Sequence, residues 1–356
     1  MIEDSIYLVA NKYIYCSGII KNGIEDVNEN DYKLHYRDTS VSQEEKTIDY
    51  DEIYYFDKME SSNYLSMVGI NLKSNEEADI QTFLGAGNIV YASENNMYLA
   101  KTNIEYDENF KIQNSNTEIL KFKLNKGKIE FQVEGVVDGI VNNQFSMDEN
   151  GEFFRIATTT GDVWNLDDTT SNTLYVLNEK LEVVGKVADF AKEEKIYSVR
   201  YVEDKAYVVT FKQTDPFFVI DLSIPTNPQI IGELKLPGYS TYLHPYDETH
   251  IIGIGYDTKE DGTRITNNGM KMVMFDISDF SNPQVLFKID IGEKNTTSEI
   301  TYNHKSILYS KEKNIIAFPL LDYGIEQSNS RAAIYEIDLQ NGFKLKGEIT
   351  HLTNNY

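Results

Sequence analysis

The sequence predicts an all-β protein, and three observations lead to that prediction. Apolar and polar residues alternate along most of the chain, whereas helical periodicity is nearly absent. Turn residues separate the alternating segments over the whole length. The aromatic residues are mainly 25 Tyr and 17 Phe, which suit the half-buried surface of a strand. The only helical candidate is "VADFAKEEKIYS" (187–198), where we expect one or two turns.

The strands form hairpins that repeat along the chain. The segment "EILKFKLNKGKIEFQVEG" (118–135) predicts two strands around an Asn-Lys-Gly turn. Two further segments, "FFVIDLSIPTNPQIIGEL" (217–234) and "MVMFDISDFSNPQVLFKI" (272–289), share one frame in which Asp221 and Asp276 are 55 residues apart. In each, we expect a strand to end at the Asp, a turn to follow, and a second strand to return.

Another strand pair precedes each of these hairpins, so the repeating unit has four strands. Aligning the turns of these pairs makes five positions equivalent, at spacings of 55, 54, 44 and 60 residues: Tyr91, Ser146, Arg200, His244 and His304. Four strands in about 50 residues is the size of a β-propeller blade. We therefore predict a β-propeller of about seven four-stranded blades, with six or eight as alternatives. The predicted units lie near residues 1–50, 51–88, 89–140, 141–193, 194–238, 239–297 and 298–356. Because no linker or low-complexity segment separates them, we assign residues 1–356 to one domain.

The composition limits the classes of partner. A net charge of −24 disfavours nucleic acid and anionic membrane surfaces, since both repel an acidic protein. We take the acidic surface to provide solubility, with Ca²⁺ binding as a weaker alternative. No run of 18 apolar residues is present, so we expect no membrane insertion. The single cysteine, Cys16, excludes a disulfide within the chain and a cysteine-based metal cluster.

Several long blocks resemble a known family. They are "NQFSMDENGEFFRIATTT" (143–160), "EKIYSVRYVEDKAYVVTFKQTDPFFVIDLS" (194–223), "GELKLPGYSTYLHPYDETHIIGIGYDT" (232–258), "GMKMVMFDISDFSNP" (269–283) and "HKSILYSKEKNIIAFPL" (304–320). Together they resemble the secreted bacterial and archaeal proteins with a C-terminal β-propeller domain, distantly related to WD40-type propellers. The resemblance is clear from about residue 53 to residue 351.

This resemblance implies an exported protein, either secreted or associated with the cell envelope. The family has no assigned reaction, so no catalytic residue is carried over from it. Relative to the family, Met1 aligns inside the propeller and the end at "HLTNNY" is early. We therefore expect this chain to be a segment of a longer exported protein whose export signal lies outside it.

The five equivalent positions are the candidate ligand-binding site. The first strand of each propeller blade lines the central channel, so Tyr91, Ser146, Arg200, His244 and His304 are expected at the channel mouth. Arg200 would provide a charged fork for an anion, a sugar or a peptide end, and the histidines titrate near neutral pH. The alternative is that these side chains only satisfy backbone groups at strand ends around a hydrated channel.

Two His and a carboxylate, at His244, Asp247 and His250, have the chemistry of metal ligands. The two histidines, however, flank a turn on separate strands. We therefore assign no metal ligand here and expect Asp247 to bind backbone amides of the turn.

Two polar loops are further candidates for a partner-binding face. The acidic loop 158–173 contains Trp164, which would be either a stacking platform for a partner or packed on a blade edge. The long polar segment 255–271 would be either a binding loop or the tip of a hairpin.

No catalytic motif is present: the sequence lacks G-x-S-x-G, H-E-x-x-H, a P-loop and a dinucleotide-binding glycine run. We assign no catalytic residue and no cofactor. The sequence thus favours a non-catalytic exported scaffold that binds a protein, peptide or glycan through one face of the ring. The alternatives are a hydrolase- or lyase-type enzyme with its site at the channel mouth, and a rigid spacer within an envelope protein.

Overall fold

A computed structural model describes residues 2, 4–14, 32–55, 62–85, 89–163, 170–212, 214–261, 264–323 and 329–350. These residues form six sheets of four or five strands and one two-stranded hairpin. The helices within the described ranges are three-residue 3-10 turns, at Tyr50–Glu52, Gln144–Ser146, Glu299–Thr301 and His304–Ser306. The all-β prediction is confirmed.

The chain divides into two compact units. Unit 1 comprises Met1–Gln144 with Asn178–Glu182, and unit 2 comprises Phe145–Leu177 with Val183–Tyr356. Each unit is described by itself below, and the assignment of a single domain stays a prediction.

Unit 1 contains eleven described strands. They are β1 (Ser5–Lys12), β2 (Leu34–Tyr36), β3 (Lys46–Ile48), β4 (Ile53–Tyr55), β5 (Tyr64–Asn71), β6 (Asp79–Leu84), β7 (Ile89–Ala92), β8 (Asn96–Tyr106), β9 (Ile112–Asn125), β10 (Lys128–Asp138) and β11 (Ile140–Val141). One sheet has the order β1-β5-β6-β4, in which β4 runs parallel to β6. The other has the order β7-β8-β9-β10, and β2 pairs only with β3. The first two predicted units therefore contribute to one sheet, and the count of seven blades is not confirmed.

Unit 2 repeats a simpler arrangement four times. Its strands are β12 (Met147–Asn150), β13 (Phe153–Thr160), β14 (Ser171–Leu177), β15 (Val183–Phe190), β16 (Lys195–Val202), β17 (Lys205–Phe211), β18 (Thr214–Asp221), β19 (Gln229–Pro237), β20 (Tyr239–Asp247), β21 (His250–Asp261), β22 (Arg264–Asp276), β23 (Gln284–Ile291), β24 (Thr296–Thr297), β25 (Leu308–Ser310), β26 (Ile315–Asp322), β27 (Asn329–Asp338) and β28 (Gly342–Thr350). The antiparallel sheets are β12–β15, β16–β19, β20–β23 and β24–β28, and in the last of these both β24 and β25 pair with β26. In each sheet the strand order follows the chain order, as the repeat predicts.

The turns confirm the local predictions. Asp221 Oδ1 accepts a hydrogen bond from the Ser223 amide at 3.1 Å, and Asp276 Oδ1 accepts the equivalent bond from Ser278 at 2.9 Å. The predicted hairpin at 118–135 is formed by β9 and β10. Its two turn residues, at positions 126 and 127, have positive φ values of 48° and 82°, as a tight two-residue hairpin loop requires.

The helix expected at 187–198 is wrong, because β15 and β16 occupy most of that segment. The Asn172 side chain explains the difference. Its Nδ2 lies 3.3, 3.1 and 3.1 Å from the carbonyl oxygens of Phe190, Ala191 and Glu194, and so holds the connection as a turn. These hydrogen bonds come from a neighbouring strand, so the residues of segment 187–198 alone do not predict them.

The polar segment 255–271 is a long hairpin rather than a loop. β21 continues to Asp261 and β22 starts at Arg264, with pairs such as Thr258 with Asn267 and Lys259 with Thr266. Of the two alternatives that the sequence left open, the hairpin is the one observed.

Buried aromatic rings join neighbouring sheets of unit 2. Phe217 on β18 stacks on Phe275 on β22, with ring centroids 4.3 Å apart and an angle of 11° between the planes. Such contacts hold the sheets as a rigid scaffold, which fixes the ends of their first strands where the candidate site lies.

Candidate functional site

Four of the five predicted site residues lie in unit 2, near the first strand of successive sheets. Ser146 is in the turn Gln144–Ser146 that leads into β12, Arg200 is on β16, His244 is on β20, and His304 is in the turn His304–Ser306 that precedes β25. Arg200, His244 and His304 belong to one group of side chains, which we call the Arg200 cluster. Its members are Phe145, Arg200, Tyr242, His244, His304 and Tyr309.

The Phe145 ring lies at the centre of this cluster. The guanidinium carbon of Arg200 lies 4.6 Å from the ring centroid, and the His304 ring lies 4.9 Å from it, edge to face. The Tyr242 ring is 6.0 Å away, also edge to face. The aromatic face attracts the Arg200 charge through a cation–π interaction and leaves the N–H groups at the edge of the guanidinium available.

Arg200 has no hydrogen-bond or ion-pair partner among the residues that the structure describes, and its Nε is buried. The other three arginines with described side chains are paired: Arg37 with Glu45, Arg155 with Asp148, and Arg331 with Glu348. Burial lowers the pKa of Arg200, but a guanidinium stays charged in proteins. The cluster therefore contains a permanent positive charge with unused donors, in a protein of net charge −24.

His244 lies beside two tyrosines and is neutral at physiological pH. Its Nδ1 is 3.0 Å from the hydroxyl oxygen of Tyr242, and its ring centroid is 4.2 Å from that of Tyr309. Burial, with the positive charge of Arg200 adding to its effect, lowers the pKa of His244 to about 4. The tyrosines keep their protons, because burial raises the pKa of Tyr242 and raises that of Tyr309 to about 12.

His304 is also held neutral. Burial is the main cause that lowers its pKa, with the positive charges of Lys305 and Arg200 adding to the effect. The cluster thus combines one cation with neutral hydrogen-bonding groups on an aromatic floor. This combination suits a planar anion such as a carboxylate, which a guanidinium binds through two parallel hydrogen bonds.

Ser146 contributes to the site indirectly. Its side chain is fully buried, and its Oγ has no hydrogen-bond partner in the described part of the chain. Its carbonyl accepts a hydrogen bond from the Tyr201 hydroxyl at 3.3 Å, which ties the turn to β16. The neighbouring Phe145 contacts Arg200 instead, because the 3-10 turn interrupts the strand alternation on which the predicted register depends.

Tyr91 lies in unit 1 on β7, where its ring is 6.0 Å from that of Tyr98. Its predicted membership of the same site stays a prediction. Trp164, the predicted partner-binding residue, lies outside the described residues.

His250 does not share a site with His244, because its side chain is hydrogen-bonded within the turn at Asp247. Its Nδ1 lies 2.8 Å from Asp247 Oδ1, and the same oxygen accepts a hydrogen bond from the Thr249 amide at 3.0 Å. Asp247 thus organises the turn as expected. Within the described ranges, no group of three His, Cys, Asp or Glu residues could hold a metal ion.

Sequence reasoning missed Phe145, Tyr242 and Tyr309, which make most of the contacts in the cluster. Of the three, Tyr242 could most easily have been predicted from the sequence. It lies two residues before His244, and alternation places both on one face of β20. No local sequence pattern predicts that Phe145 and Tyr309 belong to the cluster, because each joins it through contacts with residues of another sheet.

Comparison with known protein families agrees with the fold. The family model of the beta propeller domain matches residues 1–356. An uncharacterised protein of Archaeoglobus fulgidus is 42% identical over 204 residues, 57% of this chain and 30% of that protein. An uncharacterised protein of Methanocaldococcus jannaschii is 46% identical over 170 residues, 48% of this chain and 26% of that protein.

The match therefore spans less than a third of the length of each of these relatives. Among solved structures, the periplasmic gluconolactonase PpgL of Pseudomonas aeruginosa aligns with a TM-score of 0.47 and 9% identity, covering 80% of this chain and 78% of that chain. In the described part of the chain, no helix is long and apolar enough to cross a membrane. Because the family model matches residues 1–356, the chain belongs to the beta propeller domain family.

Proposed function

We propose that this propeller is a non-catalytic binding module of the cell envelope, in which the Arg200 cluster captures a carboxylate of a partner protein, peptide or glycan. The observation that carries the proposal is the partly buried guanidinium of Arg200, which has no acceptor among the described residues. A buried cation without a partner is costly, so such a group is expected where a ligand provides the missing acceptor.

Neighbouring groups would complete the anion site. If the Tyr242 hydroxyl donates to Nδ1 of His244, the imidazole proton resides on Nε2. That Nε2 has no hydrogen bond within the described residues and would act as a further donor to the carboxylate. Phe145 would keep the guanidinium plane fixed, which favours two parallel hydrogen bonds over a diffuse ionic contact.

The hydrolase or lyase alternative has less support. A general base works best with a pKa near the operating pH, whereas the pKa of His244 is about 4. No carboxylate orients His244 among the described residues; its hydrogen-bond partner is the protonated hydroxyl of Tyr242. The cluster therefore favours holding an anion over removing a proton.

The test compares two ligands that differ only in charge. N-acetyl-alanyl-alanine with a free carboxylate and its C-terminal amide are titrated into the protein, and binding is followed by calorimetry and by the Nε–H NMR signal of Arg200. We expect the carboxylate to bind at least tenfold more tightly than the amide, and the Arg200→Met variant to lose this preference.

Arg37→Ala is the matched control, because it removes the same charge from an exposed arginine of unit 1. It should retain the preference for the carboxylate. Equal binding of the amide, or an unchanged preference in Arg200→Met, would refute the proposal.

A further inference from the structure

Unit 1 contains a second candidate site of different chemistry. A cavity of about 530 Å³ lies between its two four-stranded sheets. We call it the unit 1 groove and define it by six of its lining residues: Tyr54, Tyr55, Asn103, Glu118, Phe131 and Glu134.

The groove lies between the sheet edges formed by β4 and β10. Large aromatic rings from both strands are exposed there. Tyr54 is 57% exposed, Tyr55 is 74% exposed and Phe131 is 52% exposed.

These exposed rings rest on buried ones. Tyr54 stacks on Phe83 with centroids 5.3 Å apart, Phe83 packs edge to face on Phe122 at 5.4 Å, and Phe122 packs edge to face on Phe131 at 5.8 Å. Phe83 and Phe122 are both buried in the core of the unit. The aromatic wall is therefore held in place rather than mobile, which lowers the entropic cost of binding a ligand against it.

The polar groups of the groove are mainly acceptors. Asn103 Oδ1 is buried and has no hydrogen-bond partner among the described residues, while Nδ2 of the same side chain donates to Asn116 at 3.1 Å. Glu134 has no ion pair within the described part of the chain. Glu118 lies 3.9 Å from Nζ of Lys101, which is only 3% exposed and so lies behind the carboxylate.

We propose that the unit 1 groove binds a primary ammonium group, presented as a lysine side chain of a partner polypeptide. The two carboxylates and the unsatisfied amide oxygen provide three acceptor groups for the three N–H donors of an ammonium. The exposed rings would contact the alkyl chain and attract the cation through their faces. The net charge of −24 would draw a basic segment toward the protein.

A neutral sugar fits the same aromatic surface less well. It would stack on the exposed rings but would leave the charge of Glu134 without a counter-charge, whereas Glu118 already lies near Lys101. Charge complementarity thus separates the two ligand classes, and the experiment tests that difference directly.

Three probes of similar size are titrated into the full chain at low and at physiological salt: Nα-acetyl-lysine amide, its uncharged analogue Nα-acetyl-norleucine amide, and methyl glucoside. We expect the lysine derivative to bind at least tenfold more tightly than the norleucine derivative, with weaker binding at higher salt. Glu134→Gln should reduce its affinity about tenfold, and Phe131→Ala should reduce it by a similar factor.

Glu130→Gln is the matched control, because it removes an equal charge from the same strand outside the groove lining. It should leave binding unchanged, and thermal melts should show that all variants fold. Equal binding of the norleucine derivative, preference for methyl glucoside, or an unaffected Glu134→Gln variant would each overturn the proposal.

The proposal does not depend on the carboxylate site of unit 2. Arg200→Met should retain binding of the lysine derivative, and Glu134→Gln should retain binding of acetyl-alanyl-alanine. Failure of one site is therefore distinguishable from failure of the other.

Discussion

Arg155 and Arg200 lie in the same unit but in opposite electrostatic situations. Arg155 on β13 is 4% exposed, and its Nε donates to Asp148 at 2.9 Å while one terminal nitrogen donates to the Glu203 carbonyl at 2.6 Å. A second terminal nitrogen also donates to Asp148. Arg200 on β16 has an aromatic ring beneath it and no acceptor among the described residues.

The difference separates a structural arginine from a binding one. A buried charge whose donors are satisfied connects elements of the fold, and its loss should appear as lost stability. A buried charge whose donors are free does little for the fold, and its loss should appear as lost ligand affinity. Substitutions of Arg155 and Arg200 test this distinction directly, and changes at His244 and Tyr242 test the surroundings of Arg200; the expected effects run from the largest to the smallest.

Arg155→Ala should lower the free energy of unfolding by about 3 to 5 kcal/mol, because it leaves the Asp148 carboxylate without its cation in a mostly buried site. Urea denaturation followed by far-UV circular dichroism measures the change. The exposed Arg37→Ala variant is the control and should shift the transition little. An Arg155→Ala curve that matches the Arg37→Ala curve would contradict the structural role of Arg155.

His244 should make the fold sensitive to acid. In the unfolded chain a histidine has a pKa near 6.5, whereas in the folded protein burial lowers that of His244 to about 4. The unfolded state therefore binds more protons between these values. The contribution to stability is complete above pH 6.5 and falls by up to about 3 kcal/mol as the pH drops from 6.5 to 4.

Urea denaturation of the wild type and of His244→Gln across that pH range isolates this contribution, since other titrating groups are common to both proteins. We expect the difference in unfolding free energy between them to change with pH. A difference that stays constant from pH 4 to pH 7 would show that His244 is not held neutral by burial.

Tyr242→Phe should cost about 1 kcal/mol, because it removes the hydrogen bond to Nδ1 of His244 within the cluster. Thermal melts and urea denaturation give the value. Tyr302→Phe changes an exposed tyrosine and is expected to have no effect. If both variants are equally stable, the Tyr242–His244 bond does not contribute to the fold.

Arg200→Met should leave the free energy of unfolding unchanged within about 1 kcal/mol, because the guanidinium has no protein acceptor to lose and its desolvation cost disappears. The same denaturation experiment applies. A loss as large as that of Arg155→Ala would remove the distinction between the two arginines and identify Arg200 as structural.

Local patterns predicted the features that depend on neighbouring residues in the chain. The alternation of side chains predicted strands, and the Asp-x-Ser frames at Asp221 and Asp276 predicted turns that the structure confirms. The repeat spacing placed Arg200 and His244 on the first strands of adjacent sheets. Each of these features involves a few consecutive residues or a simple periodicity.

Local patterns failed where a distant part of the chain decides the outcome. The expected helix at 187–198 is replaced by a turn that Asn172 holds from another strand. Residues assigned to two predicted units share the sheet that contains β4. Strand pairing depends on which strands are adjacent in the folded protein, and this need not follow their order in the sequence. Phe145 entered the cluster through a 3-10 turn that the repeat alignment treated as a strand.

The sequence by itself thus determined the strand content, the repeated turns and the residue types near the first strands of unit 2. Asp148 lies directly opposite Arg155 across the β12–β13 hairpin, seven residues away, so that pair is a short-range one. Arg200 instead lies opposite Tyr207 in its hairpin, and only the tertiary structure decided that the Phe145 ring packs on it. That contact joins residues far apart in the chain, and it depends on how separate sheets pack, which no local pattern records.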